Sequence, residues 1–212
     1  FFTIDQVLEK YPAGVVRFYL LSAHYRHPLD YSDAALEEAS AAVGRIREAV
    51  VTAEKLLAAA PPSPEGAPAQ EADASVLGCF EAEFDEAMDD DFNTQRAVGV
   101  IFEAVAKLNE VRQVFARKPS DSAAAAGVRA LVALIHRLLG RLGLDDLIFA
   151  RAQGGGSADS ALAENLITLL VKVRTEAKKA KQYQLADTIR DGLGELGIRL
   201  QDHPAGTIWI RE

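Results

Sequence analysis

The sequence has one cysteine, Cys79, and one methionine, Met88, in 212 residues. A single thiol excludes an intrachain disulfide scaffold and a cysteine-rich structural zinc site. Long apolar runs are missing too. The longest, Leu131 to Leu144, is interrupted by His136, Arg137 and Arg141, whereas a spanning helix needs ~20 apolar residues. No membrane span is expected, and no basic-then-apolar leader is visible. GxxxxGK[ST] does not occur, so no P-loop phosphate cradle is expected. The chain opens on Phe1-Phe2 rather than on methionine, and a fragment of a longer protein is expected.

What remains is an ordinary globular composition, 49% hydrophobic and 25% charged, with a net charge of -8. The charge is unevenly spread. Residues 1–150 hold 14 basic and 23 acidic side chains, net -9, and residues 151–212 hold 9 and 8, net +1. Affinity for nucleic acid comes largely from neutralised phosphates, so the acidic part is a poor general polyanion binder. Screening acts over ~10 Å at 0.1 M salt, which leaves room for a local basic strip. One exists at Lys172, Arg174, Lys178, Lys179 and Lys181, opposed only by Glu176. Its bland alternative is a solvated helix face.

Periodicity is helical almost throughout. Thr3 suits the N-cap of a short helix to Lys10, and Pro12 the start of a second to Ser22. HYRHPLDY reads as a loop. Ser32 would cap a long helix carrying Leu36, Ala39, Val43, Ile46, Val50 and Leu57, stopping at Pro61-Pro62. Residues 61–72 are Pro/Ala/Gly-rich and read as a connection. Further helices are expected from about Ala74 to Met88, over the stretch with Val98, Ile101, Phe102, Val105, Leu108 and Phe115 on one face, and from Ser120 or Ser122 to near Gly143. Together they make an antiparallel bundle. RAQGGGSA, residues 151–158, marks a linker. Beyond it, Leu162, Leu166, Leu169 and Val173 mark one helix face, and Leu185, Ile189, Leu193 and Leu196 another. A hairpin split by Pro204 and Gly206 closes a small α+β unit. The fold class is thus mainly α, a bundle followed by a two-helix plus β-hairpin domain. The expected divisions are 1–31, 32–150, the 151–158 linker and 159–212.

No catalytic site is apparent. Asp89-Asp90-Asp91 fails the calcium-loop template, since Thr94 and Val100 stand where glycine and glutamate are required. Asp91, Asn93 or Thr94 is better read as a helix cap. His24, His27, His136 and His203 form no metal-ligand pattern, and His136 fits a packing role. The stretch KVRTEAKKAKQYQLADTIRD differs in kind. It joins cations to Tyr183 and to Asp187, which lies four residues on and so shares its helix face. Stacking ring, acceptor carboxylate and phosphate-binding cations are the set that reads single-stranded RNA; an ordinary amphipathic helix is the alternative.

These strings also carry a resemblance. FFTIDQVLEKY, VVRFYLLSAHYR, LDYSDAALEEA, EAMDDDFNT, KAKQYQLADTIRD and LGIRLQDHPAGTIWIR, in this order and spacing, resemble the C-terminal part of the cysteinyl-tRNA synthetases. The resemblance implies a chain that begins just after the KMSKS-type loop and lacks that loop, the HIGH-type motif and the zinc-held cysteine pocket. It would therefore be inactive alone, with no cofactor of its own, while the parent enzyme uses ATP and zinc. It implies a DALR-type bundle as a platform and a C-terminal domain reading the anticodon of cysteine tRNA. Carried over by position, the anticodon contacts are Lys178, Tyr183, Asp187 and Asp202. Arginine is common where Lys178 stands, Trp or Phe where Tyr183 stands, and glutamate where Gln201 precedes Asp202. The backbone contacts would be His24, Tyr25, Arg26, Lys172, Arg174, Lys179 and Lys181. A cytoplasmic monomer binding tRNA, without DNA or membrane, is expected. A helical scaffold module with no RNA preference is the alternative.

Overall fold

A computed structural model of the chain describes residues 3–59, 71–149, 157–203 and 206–211. It divides into two compact units, Phe1–Ala150 and Arg151–Glu212.

Unit 1 is all helical among its described residues. Helix α1 (Ile4–Lys10) opens on a capping box, in which the Thr3 hydroxyl accepts from the Gln6 N–H and the Gln6 side chain accepts from the Thr3 N–H. Helix α2 (Ala13–Leu21) follows Pro12. Ser32 accepts from the Ala35 N–H at the head of α3 (Asp33–Ala59). Helix α4 (Glu71–Asp89) begins three residues earlier than the expected Ala74. Helices α5 (Thr94–Arg117) and α6 (Ser122–Arg141) complete the bundle, and a short α7 (Asp145–Phe149), absent from the periodicity, packs against α6, α2 and α3. The segment expected to stand apart as 1–31 is packed into this unit through α2, which meets α3, α5 and α7.

The core follows the apolar spacing. Leu36, Ile46, Leu56, Phe84, Ile101, Leu108, Phe115, Leu134, Ile135 and Leu138 are fully buried. Charged pairs flank it, with Arg137 on Glu81 at 2.8 Å and Arg141 on Asp85, one turn further along both α6 and α4. His136 sits against Asp145 at 2.7 Å and against the Phe149 ring, a packing role. Helix α6 is long and apolar enough to cross a membrane, but its apolar residues are the centre of the bundle. Its N-cap is Asp121, which accepts from the Ala123 and Ala124 N–H groups; neither Ser120 nor Ser122 caps it. It ends in a Schellman turn. Gly143 adopts φ 64°, and the Leu144 N–H reaches the Leu139 carbonyl at 2.9 Å.

Glycine is required at one helix crossing. A Cβ on Gly14 would lie 2.9 Å from the Leu147 carbonyl oxygen and 3.1 Å from its carbon. Helices α2 and α7 touch there backbone to backbone, with no room for a methyl group.

Unit 2 comprises α8 (Ser157–Lys179), α9 (Tyr183–Glu195) and an antiparallel hairpin, β1 (Ile198–His203) with β2 (Gly206–Arg211). Helix α8 starts inside the expected 151–158 linker and α4 inside the expected 61–72 connection; residues 151–156 and 60–70 lie outside the described residues. The register pairs Asp202 with Thr207 and Leu200 with Trp209, giving Trp209 its cross-strand place. The inward face of α8 differs from the expected one. Leu166 is 51% exposed, and Leu169, Leu170 and Val173 are exposed with it. Among its described side chains the buried positions are Val171, Arg174 and Ala177. The side chain of Leu162 lies outside the described residues. On α9, Ala186 and Leu193 are buried, and Leu185 and Leu196 are exposed. Helix α8 thus turns a guanidinium inward and a leucine stripe outward, because its partner on the hairpin is a carboxylate.

Candidate nucleic-acid interface

In unit 2, β1 carries Asp202 to the side of α8, and four donor contacts converge on it. Arg174 Nη1 donates to Oδ1 at 2.9 Å and Nη2 to Oδ2 at 3.0 Å. Lys178, one helical turn later, donates to Oδ2 at 2.7 Å. The Thr207 hydroxyl, directly opposite in the register, donates to Oδ1 at 2.6 Å. A carboxylate offers about four lone-pair sites, and all four are engaged. The Arg174 hydrogen bonds, helped by those of Lys178 and Thr207, hold the Asp202 carboxyl well below the usual aspartate range, against the opposing effect of burial. Asp202 in turn raises the Arg174 pKa, chiefly through the hydrogen bond.

This geometry removes Arg174 from the expected basic strip. Its side chain is only 4% exposed and its Nε has no hydrogen-bond partner. A phosphate cannot reach a cation so enclosed and already forked onto a carboxylate; Arg174 is a buried internal ion. Lys172, Lys178, Lys179 and Lys181 are exposed, so the strip is reduced to lysines. Sequence spacing did not single out Thr207. Its signal was the hairpin, which places it opposite Asp202 once the register is fixed.

Helix α8 ends in a second Schellman turn. The Gln182 N–H reaches the Ala177 carbonyl at 2.9 Å and the Lys181 N–H reaches that of Lys178 at 3.1 Å. Lys181 therefore holds φ 60°, a left-handed position where glycine is usual. The turn brings the chain straight into α9, whose first residue is Tyr183. The Tyr183 ring is 62% exposed. Asp187, one turn on and also exposed, has Arg190 at 3.4 Å. Exposed ring, exposed carboxylate and lysines thus lie along the α8–α9 corner, and Asp202 lies across from them on the hairpin.

In unit 1, the His24–Tyr25–Arg26 corner is tied to the acidic run. Tyr25 donates to Asp91 Oδ1 at 2.8 Å, Arg26 Nη2 donates to the same oxygen at 3.1 Å, and Arg26 Nε lies 3.1 Å from Asp91 Oδ2. The His24 ring stacks on Tyr25 at 4.9 Å. Asp91 and Phe92 both adopt φ 53°, a pair of left-handed residues that turns the Asp91 carboxylate under the corner. Asn93 takes the capping role for α5, accepting from the Arg96 N–H at 3.0 Å. The Tyr25 ring and the Arg26 side chain stay largely exposed. No group of three or more His, Cys, Asp or Glu that could hold a metal occurs among the described residues.

Two family models match this chain. Residues 83–144 match the DALR domain, and residues 1–41 match the class I (C) tRNA synthetase catalytic domain. A cysteine–tRNA ligase of Heliobacterium modesticaldum is 38% identical over 212 residues, which is 99% of this chain and 42% of the relative. That of Methylococcus capsulatus is 38% identical over 100% of this chain and 41% of the relative. That of Pseudomonas aeruginosa is 40% identical over 99% and 40%. The chain fits a C-terminal portion of the cysteine–tRNA ligases. It spans about two fifths of the length of these curated relatives. The DALR match covers all of α5 and α6 and the end of α4. The catalytic-domain match takes in α1, α2 and the beginning of α3, so the His24–Arg26 corner falls in that stretch and its Asp91 anchor in the DALR domain.

Proposed function

We propose that this chain is the tRNA-reading part of a cysteine–tRNA ligase, with unit 2 as the anticodon contact. One observation carries the reading: the exposed Tyr183 ring and Asp187 carboxylate share one face of α9 immediately after a lysine-bearing turn. A base can stack on the ring, the carboxylate can accept from a base amino or imino group, and Lys178, Lys179 and Lys181 can hold phosphates. Lys172, about two turns back from Lys179 along α8, extends that lysine surface. Asp202 contributes a second carboxylate from the hairpin. His24, Tyr25 and Arg26 serve as a backbone contact near the inner corner of the tRNA, held in shape by Asp91. The bundle is the platform that holds this corner.

Cysteine activation, with its ATP and zinc, belongs to residues outside this chain, in a cytoplasmic enzyme acting as a monomer. The chain by itself gives no cysteine-dependent pyrophosphate exchange in this reading, and exchange above background would refute that part.

The test is binding to a cysteine tRNA transcript with anticodon GCA, and to one with a single anticodon base changed, at two salt concentrations. Preference for the intact anticodon supports the reading. Equal and strongly salt-dependent binding reduces it to phosphate contact. Absence of binding at low salt removes it and favours a scaffold module, for which the exposed Leu166, Leu169, Leu170 and Val173 stripe would be the contact surface.

A further inference from the structure

Asp202 presents a difficulty for any role in reading a base. Its oxygens already accept from Arg174 twice, from Lys178 and from Thr207, and an ionised carboxylate has no further lone pairs and no proton to donate. Yet the side chain is 50% exposed, so it faces the solvent that RNA would replace. Base contact at Asp202 requires one of these donors to leave.

The three donors are not equally free to do so. Arg174 is 4% exposed, and leaving would strand a buried guanidinium whose Nε has no partner to begin with. Thr207 sits on a short side chain in the strand paired opposite Asp202, so it moves only with the hairpin. Lys178 has a flexible four-carbon stem, is 41% exposed, and makes an open ion pair of the kind that contributes little to stability. Its ammonium can turn to an arriving phosphate without moving the backbone.

We propose that Lys178 is an exchangeable latch on Asp202: RNA binding draws its ammonium from Oδ2 to a phosphate, while Arg174 stays and aims the vacated acceptor position at a base N–H. The proposal rests on the reading of unit 2 as the anticodon contact. It makes Arg174 a positioning residue, acting on RNA only through Asp202. It also gives the two cations on one carboxylate opposite effects. Lys178 competes with the base for Oδ2 and contributes phosphate affinity. Arg174 contributes no phosphate affinity and all of the alignment.

The experiment compares the protein with its K178M, R174Q, R174K and K178M/R174Q variants. Each is titrated with cysteine tRNA and with the single-base anticodon variant at four salt concentrations, after circular dichroism has verified folding. For K178M, weaker binding is expected, with the slope of log K against log salt shallower by ~0.7 and anticodon discrimination kept or increased. For R174Q, the salt slope is expected to be unchanged and discrimination to fall about tenfold, within the range one base contact supplies. R174K, which retains the cation without the fork, is expected to fall between R174Q and wild type. It serves alone if R174Q does not fold. The double variant is expected to discriminate as poorly as R174Q.

The 15N resonance of the Lys178 ammonium gives an independent readout, and is expected to shift on addition of the intact tRNA as the ion pair breaks. Loss of discrimination in K178M equal to that in R174Q would overturn the latch, because Lys178 would then read the base itself. Full discrimination in folded R174Q or R174K would overturn the positioning role. If wild type shows no anticodon preference at all, the reading of unit 2 falls first and the latch falls with it, an outcome separate from the other two.

Discussion

Lys181 couples stability to binding in a way that one substitution can separate. It holds φ 60° at the turn between α8 and α9, where an L side chain meets a steric cost of ~1–2 kcal/mol that glycine does not. Lys181→Gly removes this cost. It also gives the unfolded chain more freedom, which offsets ~0.5–1 kcal/mol. The turn's two backbone hydrogen bonds need no side chain, so the net expectation is stabilisation of unit 2 by ~0.5–1 kcal/mol. For a domain of this size that is a rise of ~2–8 °C in its melting temperature. Binding should move the other way. One exposed cation is lost from the strip, so the salt slope for tRNA should fall by ~0.7. Differential scanning calorimetry and binding at several salt concentrations measure both effects, and Lys181→Asn relieves strain with less added chain entropy. A variant that melts lower, or melts higher with an unchanged salt slope, would refute the argument that a strained lysine is held there for phosphate contact.

Other perturbations test separate parts of the structure. Gly14→Ala places a methyl 2.9 Å from the Leu147 carbonyl oxygen and should destabilise unit 1 by ~1–3 kcal/mol through overpacking, less the ~1 kcal/mol that alanine gains in a helix. Gly99→Ala, with nothing within 4 Å, should stabilise by ~0.5–1 kcal/mol, and denaturation midpoints of the pair isolate the contact. Tyr183→Ala should weaken tRNA binding by ~1–3 kcal/mol if a base stacks on the ring, and Asp187→Asn should cost ~1–3 kcal/mol for the intact anticodon with much less for a changed one; equal losses on both transcripts would exclude a base contact. Because the folded Asp202 pKa is depressed, its contribution is fully present above the unfolded value of ~3.9 and is lost as pH falls below it. Acid melts of unit 2 should show that loss in wild type and a smaller one in Asp202→Asn.

Much of unit 1 was legible because its signals are local. Thr3, Ser32 and Asn93 sit where a cap was expected, and the spacing of Leu36, Val43, Ile46 and Val50 does place the buried face of α3. The cap of α6 fell between the two serines considered, on Asp121, an equally good cap former. Helix α7 is five residues long, too short for periodicity to register. Unit 2 was misread where the deciding partner lies far along the chain. Leu162, Leu166, Leu169 and Val173 have ideal helical spacing, yet Arg174 faces inward because Asp202, 28 residues later, meets it. The same limit applied to the 24–26 corner, whose anchor is Asp91, 66 residues from Tyr25. At the candidate interface, residue types and the Tyr183–Asp187 spacing could be read directly. The engagement of every Asp202 lone pair could not, since it depends on hairpin register.

The inverted helix α8 also bears on how unit 2 comes apart. With leucines outside and an ion pair inside, unfolding exposes comparatively little new apolar surface and separates charges that are tightly held. The response to urea scales with newly exposed area, so unit 2 should unfold over a broad range of denaturant. Its response to acid should be gradual, since one carboxylate gaining a proton changes stability by at most ~1.4 kcal/mol per pH unit, whereas unit 1, with its packed leucine and phenylalanine centre, should unfold over a narrower range of denaturant. The two halves of one chain would then differ in how they come apart: the bundle yields sharply to denaturant, and the small domain loosens gradually.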